Sequence, residues 1–180
     1  VEELSEQSVQ YAIDMVNAGQ SRELVALGDE CICLTTRGKP IKPKTVGQKK
    51  YVELIRKNSV IFGVGPAGTG KTYLAVAMAV KAFKNKEVTR IILTRPAIEA
   101  GEKLGFLPGD IGEKYGVYLD GLNDNLEHIC EINESLNINN LKSYIECIPP
   151  QFVRGRSFER AILIVDEAQN LSLDTIHTLM

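Results

Sequence analysis

The chain has 180 residues, 44% of them hydrophobic and 24% charged, with a formal net charge of −2. That length supports one domain with a real core rather than two, and the composition excludes a disordered chain. The near-neutral balance excludes a global basic field, so any nucleic-acid surface has to be a local groove with local arginines.

From the amino terminus, Val9, Ile13 and Val16 recur at helical spacing, which predicts a helix over Leu4–Asn17 with Gly19 as its stop. Cys31–Thr36, the turn Arg37-Gly38-Lys39-Pro40 and then Ile41 predict a small hairpin. Pro43 leads out of it, and Val46–Lys57 resumes helical periodicity through Tyr51, Leu54 and Ile55. Val60-Ile61-Phe62-Gly63-Val64 is a short apolar run entering a glycine-rich loop, the mark of a buried parallel strand. Thr72–Lys84 reads as a helix with basic residues in its last turn. Arg90–Thr94 and Ala161–Asp166 read as two further buried strands, the last with its charge at the carboxyl end. Between them, Pro96–Gln151 reads as an insertion of loops and helices, with helical apolar spacing in Leu119–Cys147.

Strands alternating with helices predict an α/β fold with a mostly parallel sheet and a ligand site at the carboxyl ends of the strands. The expected organisation is an N-terminal helix and hairpin over residues 1–45, then a core over residues 46–180. The acidic start, with Glu2, Glu3 and Glu6, does not resemble a signal peptide, and apolar runs such as Leu74–Val80 are too short for a membrane span. A soluble, cytoplasmic protein with no membrane partner is expected. Cys31, Cys33, Cys130 and Cys147 lack zinc spacing and are expected to be reduced, partly buried thiols. His128 and His177 lie in helical patterns and read as surface or satisfied residues rather than ligands.

The segment Gly65-Pro66-Ala67-Gly68-Thr69-Gly70-Lys71-Thr72 matches G-x-x-x-x-G-K-[ST]. Backbone N–H groups of such a loop surround ATP phosphates, and Gly65, Gly68 and Gly70 leave room for the approach. The following helix adds its positive end, Lys71 reaches the β- and γ-phosphates, and the Thr72 hydroxyl ligates Mg2+. Behind the strand Ile162–Val165, Asp166 can hold the magnesium, and Glu167 is placed to orient and deprotonate an attacking water. The run continues Ala168-Gln169-Asn170. An acidic pair followed by Ala-Gln is typical of helicase-like motor ATPases, where the glutamine touches the γ-phosphate. No N-K-x-D or T-K-x-D sequence occurs, which favours ATP over GTP.

These residues resemble the PhoH-like ATPases, relatives of the superfamily 1 helicase core. The matching stretches are Lys42-Pro43-Lys44-Thr45, Gly65–Thr72 with Tyr73-Leu74-Ala75-Val76-Ala77, Thr94–Asp110, Arg154-Gly155-Arg156 and Asp166–Asn170. The resemblance implies a RecA-like, three-layer P-loop NTPase fold, ATP binding and hydrolysis, and a role in RNA metabolism or the phosphate-starvation response. It implies that Tyr73 joins the ATP-binding set and that Gln48 reads the adenine edge, since an amide both donates and accepts. The alternative for Gln48 is a surface glutamine at a helix start. Thr94 and Arg95 lie where helicase cores contact a nucleic-acid backbone. An arginine there either pairs with phosphate or makes a structural ion pair, with Glu99 or Glu102. Arg154 and Arg156 read as RNA contacts, as arginines reaching a neighbouring subunit's ATP in a homo-oligomer, or as a solvated basic loop. Single-stranded RNA is the nucleic-acid partner expected.

The family continues past the acidic motif with another core strand ending in Thr-Gly-Asp, whereas this chain stops at Met180. The expectation is a core incomplete at one sheet edge, better at binding nucleotide than at turning it over. Two other readings stand beside the ATPase: a P-loop kinase, and a nucleotide-binding assembly subunit that does not hydrolyse.

Overall fold

The computed structural model describes residues 5–25, 27–28, 31–35, 38–96, 129, 144–153 and 155–179. The first helix, α1 (Glu6–Asn17), starts at Ser5, whose hydroxyl accepts the Ser8 N–H at 3.2 Å. A short helix α2 (Ser21–Val25) follows, then strands β1 (Cys33–Leu34) and β2 (Pro40–Ile41), which pair antiparallel as the expected hairpin. Helix α3 (Val46–Lys57) covers the expected span and is capped by Thr45, whose hydroxyl accepts the Gln48 N–H at 3.1 Å. The Tyr11 hydroxyl accepts the Val46 N–H at 3.1 Å and so ties α1 to the start of α3.

Helix α4 (Lys71–Lys84) leads to β3 (Arg90–Thr94). Strand β4 (Ile145–Cys147), helix α5 (Pro150–Val153), strand β5 (Ala161–Val165) and helix α6 (Leu173–Leu179) complete the described elements. The main sheet has the order β4-β3-β5, all parallel, with Ile92 opposite both Glu146 and Leu163. Alternation along β3 sends Ile91 and Leu93 to one face, where they meet Leu74, Ala77 and Val80 of α4. Ile92 points to the other face and packs with Ile148 and Val153, joined by Leu163 and Leu179. Helices therefore cover both faces of a parallel sheet, the three-layer α/β arrangement of P-loop NTPases.

Two expectations are corrected. Val60–Val64 forms no strand, and Val60, Phe62 and Val64 are 57%, 68% and 95% exposed. An extended segment becomes a strand only through a hydrogen-bonded neighbour, and none of the described residues pairs with this one. The stretch Pro96–Gln151 is also more than loops and helices, because Ile145–Cys147 within it is a strand of the main sheet. Its three residues pair with Ile91–Leu93, so apolar pairing against β3 overrides the helical spacing. Most of that stretch, Cys130 and His128 included, lies outside the described residues.

Core position and sheet pairing set the expected response to mutation. Leu93→Ala removes a fully buried side chain from the α4 face and is expected to cost about 3 kcal/mol. Phe62→Ser is expected to change stability by less than about 0.5 kcal/mol, because the ring is largely solvated. Urea unfolding of both variants checks the contrast, and equal losses would contradict it.

Candidate nucleotide site

The glycine-rich loop closes on itself through polar contacts. Gly68 and Gly70 have φ of +73° and +79°, left-handed values that turn the chain into α4 without a side-chain penalty. The Thr69 hydroxyl donates to the Pro66 carbonyl at 2.9 Å. Lys71 Nζ donates to the carbonyls of Gly65 at 2.8 Å and Pro66 at 2.7 Å, and lies 3.4 Å from Thr69 Oγ1. The ammonium is therefore held over the loop at the amino end of α4, where the helix dipole already favours an anion. Tyr73, in the first turn of α4, is half-buried against the core.

The acidic pair meets this loop from β5. Thr72 Oγ1 donates to Asp166 Oδ1 at 2.8 Å, joining residues 94 positions apart. The Asp166 N–H donates to the Thr94 carbonyl at 2.9 Å, so the end of β3 fixes where the carboxylate emerges. Arg95 Nη1 lies 3.8 Å from Asp166 Oδ2. Glu167 adopts φ +51°, ψ +39°, a left-handed backbone that is costly for a side-chain-bearing residue. It starts a 3-10 turn, Ala168–Asn170, and its carboxylate accepts a hydrogen bond from Gln169 Nε2. The hydroxyl of Thr72 and the carboxylate of Asp166 are hard oxygen donors converging on one point, chemically suited to a small divalent cation. No cluster of three or more His, Cys, Asp or Glu suited to a metal occurs among the described residues.

Helix α3 forms the third wall. Gln48 Oε1 accepts the Lys44 N–H at 2.6 Å, and its Nε2 donates to the Thr69 carbonyl at 3.1 Å. The amide thus bridges the start of α3 to the phosphate loop, and each of its ends keeps a second hydrogen-bonding capacity. An open cleft of about 380 Å³ runs beside it, with Tyr51, Leu54, Phe62 and Gly65 among its lining residues. Tyr51 and Thr45 are site residues that the sequence reading did not single out. The spacing held a signal, since Tyr51 follows Gln48 by three positions and shares its helix face. A Cβ placed on Gly63 would lie 3.0 Å from the Tyr51 ring, so a side chain there would require the ring to give by a few tenths of an ångström.

The remaining candidates are placed unevenly. Thr94 is fully buried in the middle strand of the described sheet, and among the described residues its hydroxyl has no hydrogen-bond partner. Arg95 makes an ion pair, but with Asp166; Glu99 and Glu102 lie outside the described residues. Arg156 Nη1 contacts Glu146 Oε2 at 3.1 Å, a carboxylate that also meets Arg90 at 3.2 Å. Arg156 is thus paired with β4, and Arg154 lies outside the described residues.

Burial raises the pKa of Tyr51, with a further contribution from the Asp166 charge, and burial likewise raises Tyr73, Cys33 and Cys147. All four are neutral when protonated, so the fold holds their protons more tightly than the unfolded chain does. Their contribution to stability is fully present below the ordinary thiol value of 9.0 and is lost as pH rises beyond it. Urea midpoints are expected to be flat between pH 7 and 8.5 and to fall above pH 9. Gly63→Ala is expected to cost about 1–3 kcal/mol through crowding of Tyr51. Most of that loss should disappear in a Tyr51→Ala background, which a double-mutant cycle measures.

Comparison with known proteins identifies a family. The profile of the family described as PhoH-like protein matches residues 40–180. A PhoH-like protein of Bacillus subtilis (strain 168) is 46% identical over 168 residues, covering 93% of this chain and 52% of the relative. A PhoH-like protein of Mycobacterium tuberculosis (strain ATCC 25618 / H37Rv) is 44% identical, covering 95% of this chain and 53% of the relative. Protein PhoH of Escherichia coli (strain K12) is 41% identical over 136 residues, covering 74% and 38%. The chain thus spans about half the length of the first two of these relatives. A match over residues 40–180, with the phosphate loop and the acidic strand both inside it, means that this chain belongs to the PhoH-like protein family.

Proposed function

We propose that this chain binds Mg-ATP and hydrolyses it. The observation that carries the reading is the 2.8 Å contact between the Thr72 hydroxyl and Asp166, which brings a phosphate-binding loop and an acidic strand end to one point. Generic glycine turns have no reason to meet a carboxylate 94 residues away.

In this reading the backbone N–H groups of Gly65–Thr72 and the amino end of α4 receive the phosphates. Lys71 exchanges the carbonyls of Gly65 and Pro66 for β- and γ-phosphate oxygens. Thr72 and Asp166 would hold magnesium, whose positive charge would stabilise the negative charge that develops on the phosphates. Glu167 accepts a proton from the attacking water, and Gln169, hydrogen-bonded to it, keeps the carboxylate turned toward that water. Gln48 offers its remaining donor and acceptor to the adenine edge while its other pair stays on Lys44 and Thr69. The cleft beside Tyr51 and Leu54 takes the base. The setting in this reading is RNA metabolism or the phosphate-starvation response, with single-stranded RNA and further copies of the chain as partners in the cytoplasm.

The test is phosphate release with Mg2+ and ATP, with and without single-stranded RNA. Glu167→Gln is expected to lower turnover by about 10²- to 10⁴-fold while ATP binding persists. Lys71→Ala is expected to lose both. Turnover unchanged in Glu167→Gln would sink the assignment of the base. Binding without turnover under every condition would leave a nucleotide-binding subunit, and phosphate transfer to a small acceptor instead of water would indicate a kinase.

A further inference from the structure

Asp166 is the group around which charge has to be balanced. Its side chain is 16% exposed, and a carboxylate that far out of water needs a partner. Three elements surround it. From α4, Thr72 supplies a neutral hydroxyl to Oδ1 at 2.8 Å. From α3, Tyr51 is near enough to feel its charge, and that phenol is neutral. From the end of β3, Arg95 brings its guanidinium to 3.8 Å from Oδ2. The neighbouring cation of the loop, Lys71, is directed to the carbonyls of Gly65 and Pro66. Among the described ion pairs, Arg95 is the only cation on Asp166.

The placement of Arg95 is not a chance of a long side chain. The Asp166 N–H donates to the carbonyl of Thr94, the residue immediately before it, so the two strand ends are tied by backbone. The arginine is itself 32% exposed, so it lies at the mouth of the site rather than beneath it. A fixed positive charge there opposes the arrival of a second cation.

We propose that Arg95 is a positioning residue that competes with the divalent cation for Asp166. It holds the carboxylate turned toward Thr72 and weakens cation binding until phosphates bring enough negative charge to outweigh it. This makes the metal enter with the nucleotide rather than ahead of it, and gives the pair of strand ends a role in the order of binding. The inference rests on the reading of Asp166 as the metal ligand.

The experiment titrates Mn2+ into the nucleotide-free 180-residue chain, read by the electron paramagnetic resonance signal of free Mn2+, and repeats the titration with equimolar ADP, where the differences between variants are expected to shrink. Arg95→Gln is expected to tighten Mn2+ binding roughly fivefold, the size of one screened charge interaction near a surface. Arg95→Lys, which keeps the charge, is expected to stay within about twofold of the parent. Arg95→Leu provides a second neutral side chain should the glutamine variant fail to fold. Mn2+ binding that is unchanged or weaker in the neutral variants overturns the proposal, since a merely structural arginine would give that result. Asp166→Asn separates the two levels: lost Mn2+ binding there, with no tightening in the neutral variants, overturns the role of Arg95 alone. Mn2+ binding indifferent to Asp166→Asn overturns the metal assignment and this proposal together.

Discussion

The contact between the Thr72 hydroxyl and the Asp166 carboxylate is the constraint on which the site depends. It is made at the carboxyl ends of a parallel sheet, where β5 releases Asp166 and the first turn of α4 presents Thr72. Neither residue could reach the other without the apolar pairing of β3 with β5 and the packing of α4 on Ile91 and Leu93. Chemistry at the strand ends is thus positioned by hydrophobic burial beneath it, the usual division of labour in open α/β sheets.

The same logic explains what was legible in the sequence. The phosphate loop reads clearly because its glycines, lysine and threonine each answer a local demand of backbone geometry or charge. Helix α3 reads to the residue because Thr45 caps it and Asn58 ends it. The acidic strand end reads because four apolar residues precede two carboxylates. What did not read depends on partners distant in sequence. The apolar pattern of Val60–Val64 specifies a buried strand, yet its exposure is decided by what lies alongside, which no local pattern contains. Ile145–Cys147 has three residues, too few for a period, and becomes a strand because β3 offers it a ladder. Arg95 had two glutamates close by in sequence, and the carboxylate that it meets lies 71 positions further on.

In the proposed function Gln48 is a recognition residue, and its contacts hold it still. An exposed glutamine has many rotamers, and choosing one costs entropy on binding. Here the amide is fixed from both sides, by the Lys44 N–H and the Thr69 carbonyl, before any base arrives. The contact to Thr69 also means that a shift of the amide is felt at the residue two before Lys71. The proposed base and phosphate subsites therefore share one short mechanical path across the mouth of the cleft.

The 94-residue separation of Thr72 and Asp166 has a consequence for how this architecture can vary. The entropy of closing a chain segment grows only with the logarithm of its length, so doubling it costs about 0.6 kcal/mol. Added length between β3 and β4 therefore costs little by itself, and what limits change there is contact: Ile129, within that stretch, is fully buried in the core that carries the site.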